Sequence, residues 1–182
     1  RELTSEAKRS PLEIKYGKMG QLEKLSLEVY SDASFGGIDK GLKSTEGHII
    51  LLRGDSDKCA PISWRSKLIA RVCKSAKSAE TIALENVMDT AIGIGRQLRQ
   101  IQTGIVDKRP ADIHAFTDSA SLVESIKSTK PVDEGNMRVS IHRIQDHLNH
   151  KDVKSVGWVP THMMLADPVS YTHLTLPTKR IV

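Results

Sequence analysis

The sequence predicts an α/β domain: one mixed sheet of five strands with helices on both faces. Three observations carry that reading. Three strand-like runs joined by short turns occupy residues 25–67. A long amphipathic stretch follows, from Ser75 to about Ile101. Two more strand-like runs then alternate with two shorter helical stretches. Strands joined by short turns form an antiparallel meander. A long helix between the third and fourth strands makes the sheet mixed and covers it.

The first run, Leu25-Ser26-Leu27-Glu28-Val29-Tyr30-Ser31-Asp32, alternates with period 2. Leu25, Leu27 and Val29 point one way, and Glu28, Tyr30 and Asp32 the other. Gly36-Gly37 marks a turn. Glu46–Arg53 is the second strand, Gly54-Asp55-Ser56-Asp57 a turn, and Cys59–Lys67 the third strand. In the long helix Ala79, Ile82, Ala83, Met88, Ala91, Ile92, Leu98 and Ile101 recur at helical spacing. Gly93 and Gly95 weaken its second half and suggest a kink or break. Gly104 caps it. Ala111–Thr117 is a short strand, Asp118 to about Lys127 a helix, Asn136–Asn149 an amphipathic helix, and Val153–Val159 the last strand.

The 182 residues suit one domain with a sizeable core. Hydrophobic residues make up 38% and charged residues 27%, which excludes a disordered tail. The longest bulky apolar run, Ile49–Leu52, is far short of a membrane span. Arg1-Glu2-Leu3-Thr4 is polar, without the apolar core of a secretion signal. With no initiator Met, the chain reads as an internal piece of a longer polypeptide, and residues 1–24 as the tail of an upstream segment or a linker. Two cysteines cannot build a disulfide framework or a four-ligand zinc site, so a reducing compartment is expected; with neither signal nor span, the chain reads as intracellular and without a membrane. The net charge of +5 is mildly basic. Seven aromatic residues are too few for base-stacking platforms, so phosphates and sugars must supply most of any nucleic-acid contact. From Val169 to Val182 helical periodicity is lost. That tail reads as non-native, adapter-like sequence, and without its Lys179 and Arg180 the net charge falls to +3.

Four carboxylates sit at element ends. Asp32 closes the first strand and Asp118 the fourth, at the edge of an open α/β sheet where ligand sites form. Glu80 lies in the first turns of the long helix, on the stripe with Ala83, Leu84, Val87 and Ala91. A carboxylate on a buried stripe costs free energy unless it is paired or meets a cation. Asp167 follows the last strand. Each has a plainer reading: Asp118 as a helix N-cap, Glu80 as a partner of the helix dipole, Asp32 as the start of a turn with Phe35-Gly36-Gly37. Together, four hard oxygen ligands from four elements suit Mg²⁺ or Mn²⁺.

The ordered motifs resemble those of the ribonuclease H domain of copia-type (LTR) retrotransposon Pol polyproteins. They are Tyr30-Ser31-Asp32-Ala33-Ser34-Phe35-Gly36-Gly37, Lys43-Ser44-Thr45-Glu46-Gly47 and Pro61-Ile62-Ser63-Trp64-Arg65-Ser66-Lys67. Next come Ser78-Ala79-Glu80-Thr81-Ile82-Ala83-Leu84 and Thr117-Asp118-Ser119-Ala120-Ser121, with Ser119 where Asn is common. The closing motif runs from Trp158-Val159-Pro160-Thr161-His162 through Leu165-Ala166-Asp167-Pro168. The resemblance covers about residues 25–168 and departs from the family right after Pro168. It implies a ribonuclease H-like fold, with Asp32, Glu80, Asp118 and Asp167 as catalytic metal ligands. It makes residues 1–24 the tail of a reverse-transcriptase region in the same polyprotein.

The activity implied is hydrolysis of the RNA strand of an RNA–DNA hybrid, with two Mg²⁺ ions that Mn²⁺ can replace. Asp32 would bridge both, Glu80 and Asp118 would hold one, and Asp167 the other. His162 reads either as an accessory group for proton transfer or product release, or as a loop residue without a role. Arg65, Lys67, Arg71, Lys74 and Lys77 form a basic stretch before the long helix, read as a phosphate track. Ser44 and Thr45 are expected to add phosphate hydrogen bonds. Ser128–Gly135 is short and broken by Pro and Gly, so it cannot form a basic hybrid-gripping helix. One alternative remains open, an inactive nucleic-acid-binding fragment of a decayed retroelement; a second, an integrase-type core, does not fit the spacing. The second requires a Glu about 35 residues after Asp118, and Glu124 and Glu134 lie too near.

Overall fold

The computed structural model describes residues 16–36, 43–55, 58–128 and 135–167. The expected adapter-like tail, most of the upstream segment and the 129–134 connection lie outside them. Strands β1 (Ser26–Ser34), β2 (Thr45–Arg53) and β3 (Cys59–Leu68) are followed by helix α1 (Ala76–Thr103). Then come β4 (Ile113–Thr117), α2 (Ala120–Lys127), α3 (Gly135–Asn149) and β5 (Ser155–Trp158). The sheet order is β3-β2-β1-β4-β5. β1–β2 and β2–β3 pair antiparallel, and β1–β4 and β4–β5 pair parallel. This is the five-stranded mixed sheet the sequence predicts.

The alternation of β1 sorts its side chains between two apolar layers. Leu27 and Val29 are fully buried with Ile50 of β2 and Ile113 and Ala115 of β4. Against them lie Leu84, Val87, Met88 and Ala91 of α1, Leu122 and Ile126 of α2, and Met137, Ile141 and Ile144 of α3. On the other face Ile49 and Leu51 meet Tyr30, Val159, Met164, Leu165 and Ala166. Among the described residues, the three α-helices share the first layer. The second is covered by Val159 and by Met164, Leu165 and Ala166, which flank the exposed 3-10 turn Thr161–Met163.

α1 runs unbroken through both glycines, which corrects the expected break. Ser75 caps its start by accepting from the Ser78 amide, and Gly104, at φ 71°, ends it through a bond to the Gln100 carbonyl. Gly95 is there for close approach. A Cβ on it would lie 2.8 Å from Cβ of Pro110, and its carbonyl accepts from the Ala111 amide at 2.9 Å. Gly95→Leu should therefore lower stability by about 1–3 kcal/mol, read as a lower urea midpoint.

His48 is buried on β2, opposite Ser31 on one side and Arg65 on the other. Burial, then the charges of Arg65 and Lys67, push its pKa down to about 4. The unfolded chain takes up that proton near pH 6.5, so stability is lost as pH falls from 6.5 to 4. The loss from this residue should reach about 3 kcal/mol. Urea unfolding of His48→Gln and the parent at pH 7 and pH 4.5 checks it: only the parent should show this component.

Candidate metal centre

β1 and β4 are parallel neighbours, with Tyr30 opposite Phe116 and their rings stacked at 5.0 Å. Asp32 and Asp118 each lie two residues further along. Parallel pairing therefore delivers both carboxylates to the same edge. Asp32 lies inside β1 and pairs with Gly47, so it does not open a turn. Asp118 is not the cap of α2 either, because Ser119 holds the N-cap position. Glu80 projects from the first part of α1, and its Oε1 accepts from the Ala33 amide at 3.2 Å. It serves β1 rather than the start of its own helix.

Ligand oxygens of Asp32, Glu80 and Asp118 all lie within 4.8 Å of one another. Asp32 is 6% exposed, and Oε2 of Glu80 is buried with no hydrogen-bond partner among the described residues. Burial, then the charges of Asp32 and Asp118, raise the Glu80 pKa to about 9, against the pull of the Ala33 amide. Three hard oxygens converge, and one has no donor: this arrangement fits a hard divalent cation. Such a cation would replace the Glu80 proton and neutralise the repulsion.

The structure does not bring Asp167, the fourth expected ligand, into this group. It is half-buried just after the 3-10 turn, and its amide donates to the Met164 carbonyl at 3.3 Å. His162 is exposed on that turn. Two residues that motif reading did not single out hold Asp118. The Thr161 hydroxyl donates to its Oδ2 at 2.9 Å, and the Trp158 indole N–H donates to its carbonyl at 2.9 Å. Both belong to the closing motif, but spacing carries no sign of either bond.

The expected phosphate contacts need correction. Ser44 and Thr45 are 0% and 1% exposed, and Ser44 Oγ accepts from the Gly36 amide. Side chains so enclosed are structural and do not meet a phosphate arriving from solvent. Lys67 pairs with buried Glu46 at 2.9 Å, and Glu46 also accepts from Asn86 at 2.7 Å. Arg71 pairs with buried Glu85 at 3.5 Å, and Lys77 donates to Ser125 at 2.7 Å. Only Arg65 and Lys74 of the five are exposed without an ion pair or side-chain hydrogen bond among the described residues. Replacing each of these two by Ser should therefore reduce the log–log salt slope of nucleic-acid binding by about 0.7–0.9. Replacing Lys67 should instead lower stability, by leaving Glu46 short of a partner. Salt titrations and urea melts separate the two effects.

No family model and no curated protein matches the sequence. Solved structures do. Ribonuclease H1 from the halophilic archaeon Halobacterium salinarum NRC-1 matches with a TM-score of 0.59 at 18% identity, over 80% of this chain and 94% of that one. LC11-RNase H1, isolated from compost and bound to an RNA/DNA hybrid, matches with 0.56 at 15% identity, over 79% and 92%. The foamy viral protease-reverse transcriptase in complex with dsDNA matches with 0.52 at 15% identity, over 82% and 92%. The architecture of this chain is therefore the ribonuclease H fold.

Proposed function

We propose that the chain is a metal-dependent endonuclease that hydrolyses the RNA strand of RNA–DNA hybrids. The observation that carries this reading is the edge-on group of Asp32, Glu80 and Asp118, with its undonated Glu80 oxygen, at one end of a ribonuclease H sheet. The likeness to LC11-RNase H1, described with an RNA/DNA hybrid, supports the substrate class. Residues 25–168 form the catalytic domain, and residues 1–24 are the tail of an upstream polymerase region. The ordered motifs support a retroelement polyprotein of copia type, and the viral reverse-transcriptase likeness supports the polymerase neighbour.

Asp32, Glu80 and Asp118 would hold Mg²⁺, with Mn²⁺ able to substitute. Asp167, outside that group in this structure, is proposed as the fourth ligand on the strength of the closing motif alone. Bound cations supply Lewis acidity towards the scissile phosphate and activate water for attack. The protein contributes the rest. Strand pairing fixes Asp32, so its carboxylate needs little reorganisation. Glu80 gives up its proton as the centre fills. His162 stands exposed beside Asp118's partner Thr161, where it can serve product release or proton transfer. Arg65 and Lys74 meet backbone phosphates, while RNA 2′-hydroxyls choose the strand.

A labelled hybrid incubated with the full chain in Mg²⁺, and in EDTA, tests this. Cleavage in Mg²⁺ alone is expected. Hybrid binding without cleavage under any divalent cation would favour an inactive binding fragment.

A further inference from the structure

We infer that Thr161 is a positioning residue for the metal centre: its hydroxyl sets the Asp118 carboxylate and ties the segment that carries Asp167 to it. The inference rests on the metal-centre reading above.

Asp118 directly follows Thr117, the last residue of β4, and it is only half-buried. A half-buried aspartate beyond a strand end is not held in one staggered rotamer by packing alone. Two bonds from one short segment remove the freedom. The Trp158 indole N–H holds the Asp118 carbonyl at 2.9 Å, which fixes the backbone where the strand ends. The Thr161 hydroxyl holds Oδ2 at 2.9 Å, which fixes the carboxylate whose ligand oxygen lies within 4.8 Å of those of Asp32 and Glu80. A hydrogen bond to an ionised acceptor is about twice as strong as a neutral one.

The same threonine starts a chain of backbone bonds. The Met164 amide donates to the Thr161 carbonyl at 3.0 Å, and the Asp167 amide to the Met164 carbonyl at 3.3 Å. Met164 and Ala166 are 4% and 0% exposed against the second face of the sheet, so the segment is anchored by burial as well. Asp167 therefore stands on a segment that the Trp158 and Thr161 side chains both bond to Asp118. Partners that orient metal ligands typically contribute 10–100-fold to metal affinity.

The test measures Mn²⁺ affinity directly, from the electron paramagnetic resonance of free Mn²⁺, in the full chain without nucleic acid. Thr161→Val keeps the shape and removes the donor, and should weaken binding by about tenfold. Thr161→Ser keeps the donor and should bind within about threefold of the parent. Trp158→Phe, which keeps the ring and loses the N–H, should weaken binding less than Thr161→Val does. Asp32→Asn serves as the control for the centre itself. If Asp32→Asn loses Mn²⁺ and Thr161→Val binds like the parent, the centre stands and Thr161 has no part in it. If Thr161→Ser is as weak as Thr161→Val, keeping the hydroxyl does not preserve binding, position 161 acts only through packing, and the inference fails. If Asp32→Asn binds Mn²⁺ normally, the centre is misplaced and the inference falls with it.

Discussion

Asp32→Asn is expected to reduce hybrid cleavage by at least about 10³-fold, equivalent to about 4 kcal/mol of transition-state stabilisation. Asn keeps the size and the strand position, so the fold should persist, with β1 still paired to β2 and β4. What disappears is a full negative charge, 6% exposed, within 4.8 Å of two other carboxylate ligands. The remaining pair cannot hold a divalent cation with comparable affinity. Two readouts separate this from unfolding. Far-UV circular dichroism should be unchanged. Mg²⁺ should raise the melting temperature of the parent and not of the variant, because only the parent binds it in the native state. Equal shifts in both would place the cation elsewhere.

Glu80→Gln should stabilise the metal-free protein and destroy its metal response. The Glu80 pKa is raised to about 9, first by burial and then by Asp32 and Asp118. The sign follows from proton counting. Between pH 4.5 and 9 the folded state holds this proton and the unfolded chain has lost it, so folding is opposed increasingly as pH rises. The stability is fully present below pH 4.5. From pH 5 to pH 8 the loss from this group amounts to about 4 kcal/mol. A glutamine keeps the neutral shape at every pH and retains an acceptor for the Ala33 amide. Urea melts in EDTA should show the parent losing stability across that window relative to the variant, with the two converging near pH 5. Parallel pH profiles would mean that Glu80 is ionised in the folded state, and that its surroundings are more polar than burial implies.

These effects trace to features of different legibility. The alternation from Leu25 to Asp32 was readable because one face of β1 is buried and period 2 has only two phases. It placed Leu27 and Val29 in the core, and the structure agrees. The acidic edge was readable in part. Parallel pairing turns two strand-end aspartates into neighbours, and Glu80 stood out as a charge on an apolar stripe. Asp167 lies beyond the last strand, where no periodicity governs the chain, and its relation to the other three carboxylates did not follow from spacing.

Other misreadings share one cause, which is that a residue's partners come from distant elements. Gly93 and Gly95 look alike in a helical pattern, and only the approach of Pro110 distinguishes the second. Ser44 and Thr45 look like surface hydroxyls. β2 lies between β1 and β3, with both faces covered, so its polar start is buried along with its apolar middle. Lys67 and Arg71 look like free cations, yet each answers a buried glutamate on β2 or α1. Charge composition overstated the surface available to phosphates for that reason. The Thr161–Asp118 bond joins residues 43 apart and had no local signal at all.

The most direct test of the central claim is a strand-resolved cleavage assay with the full chain. One 5′-labelled RNA is presented alone, paired to DNA and paired to RNA, and the DNA strand of the hybrid carries a second label. Cuts are expected in the RNA of the hybrid only, leaving 3′-hydroxyl ends, with an intact DNA strand and no products in EDTA. Cleavage of all three RNAs alike, or cleavage that persists in EDTA, would contradict the claim.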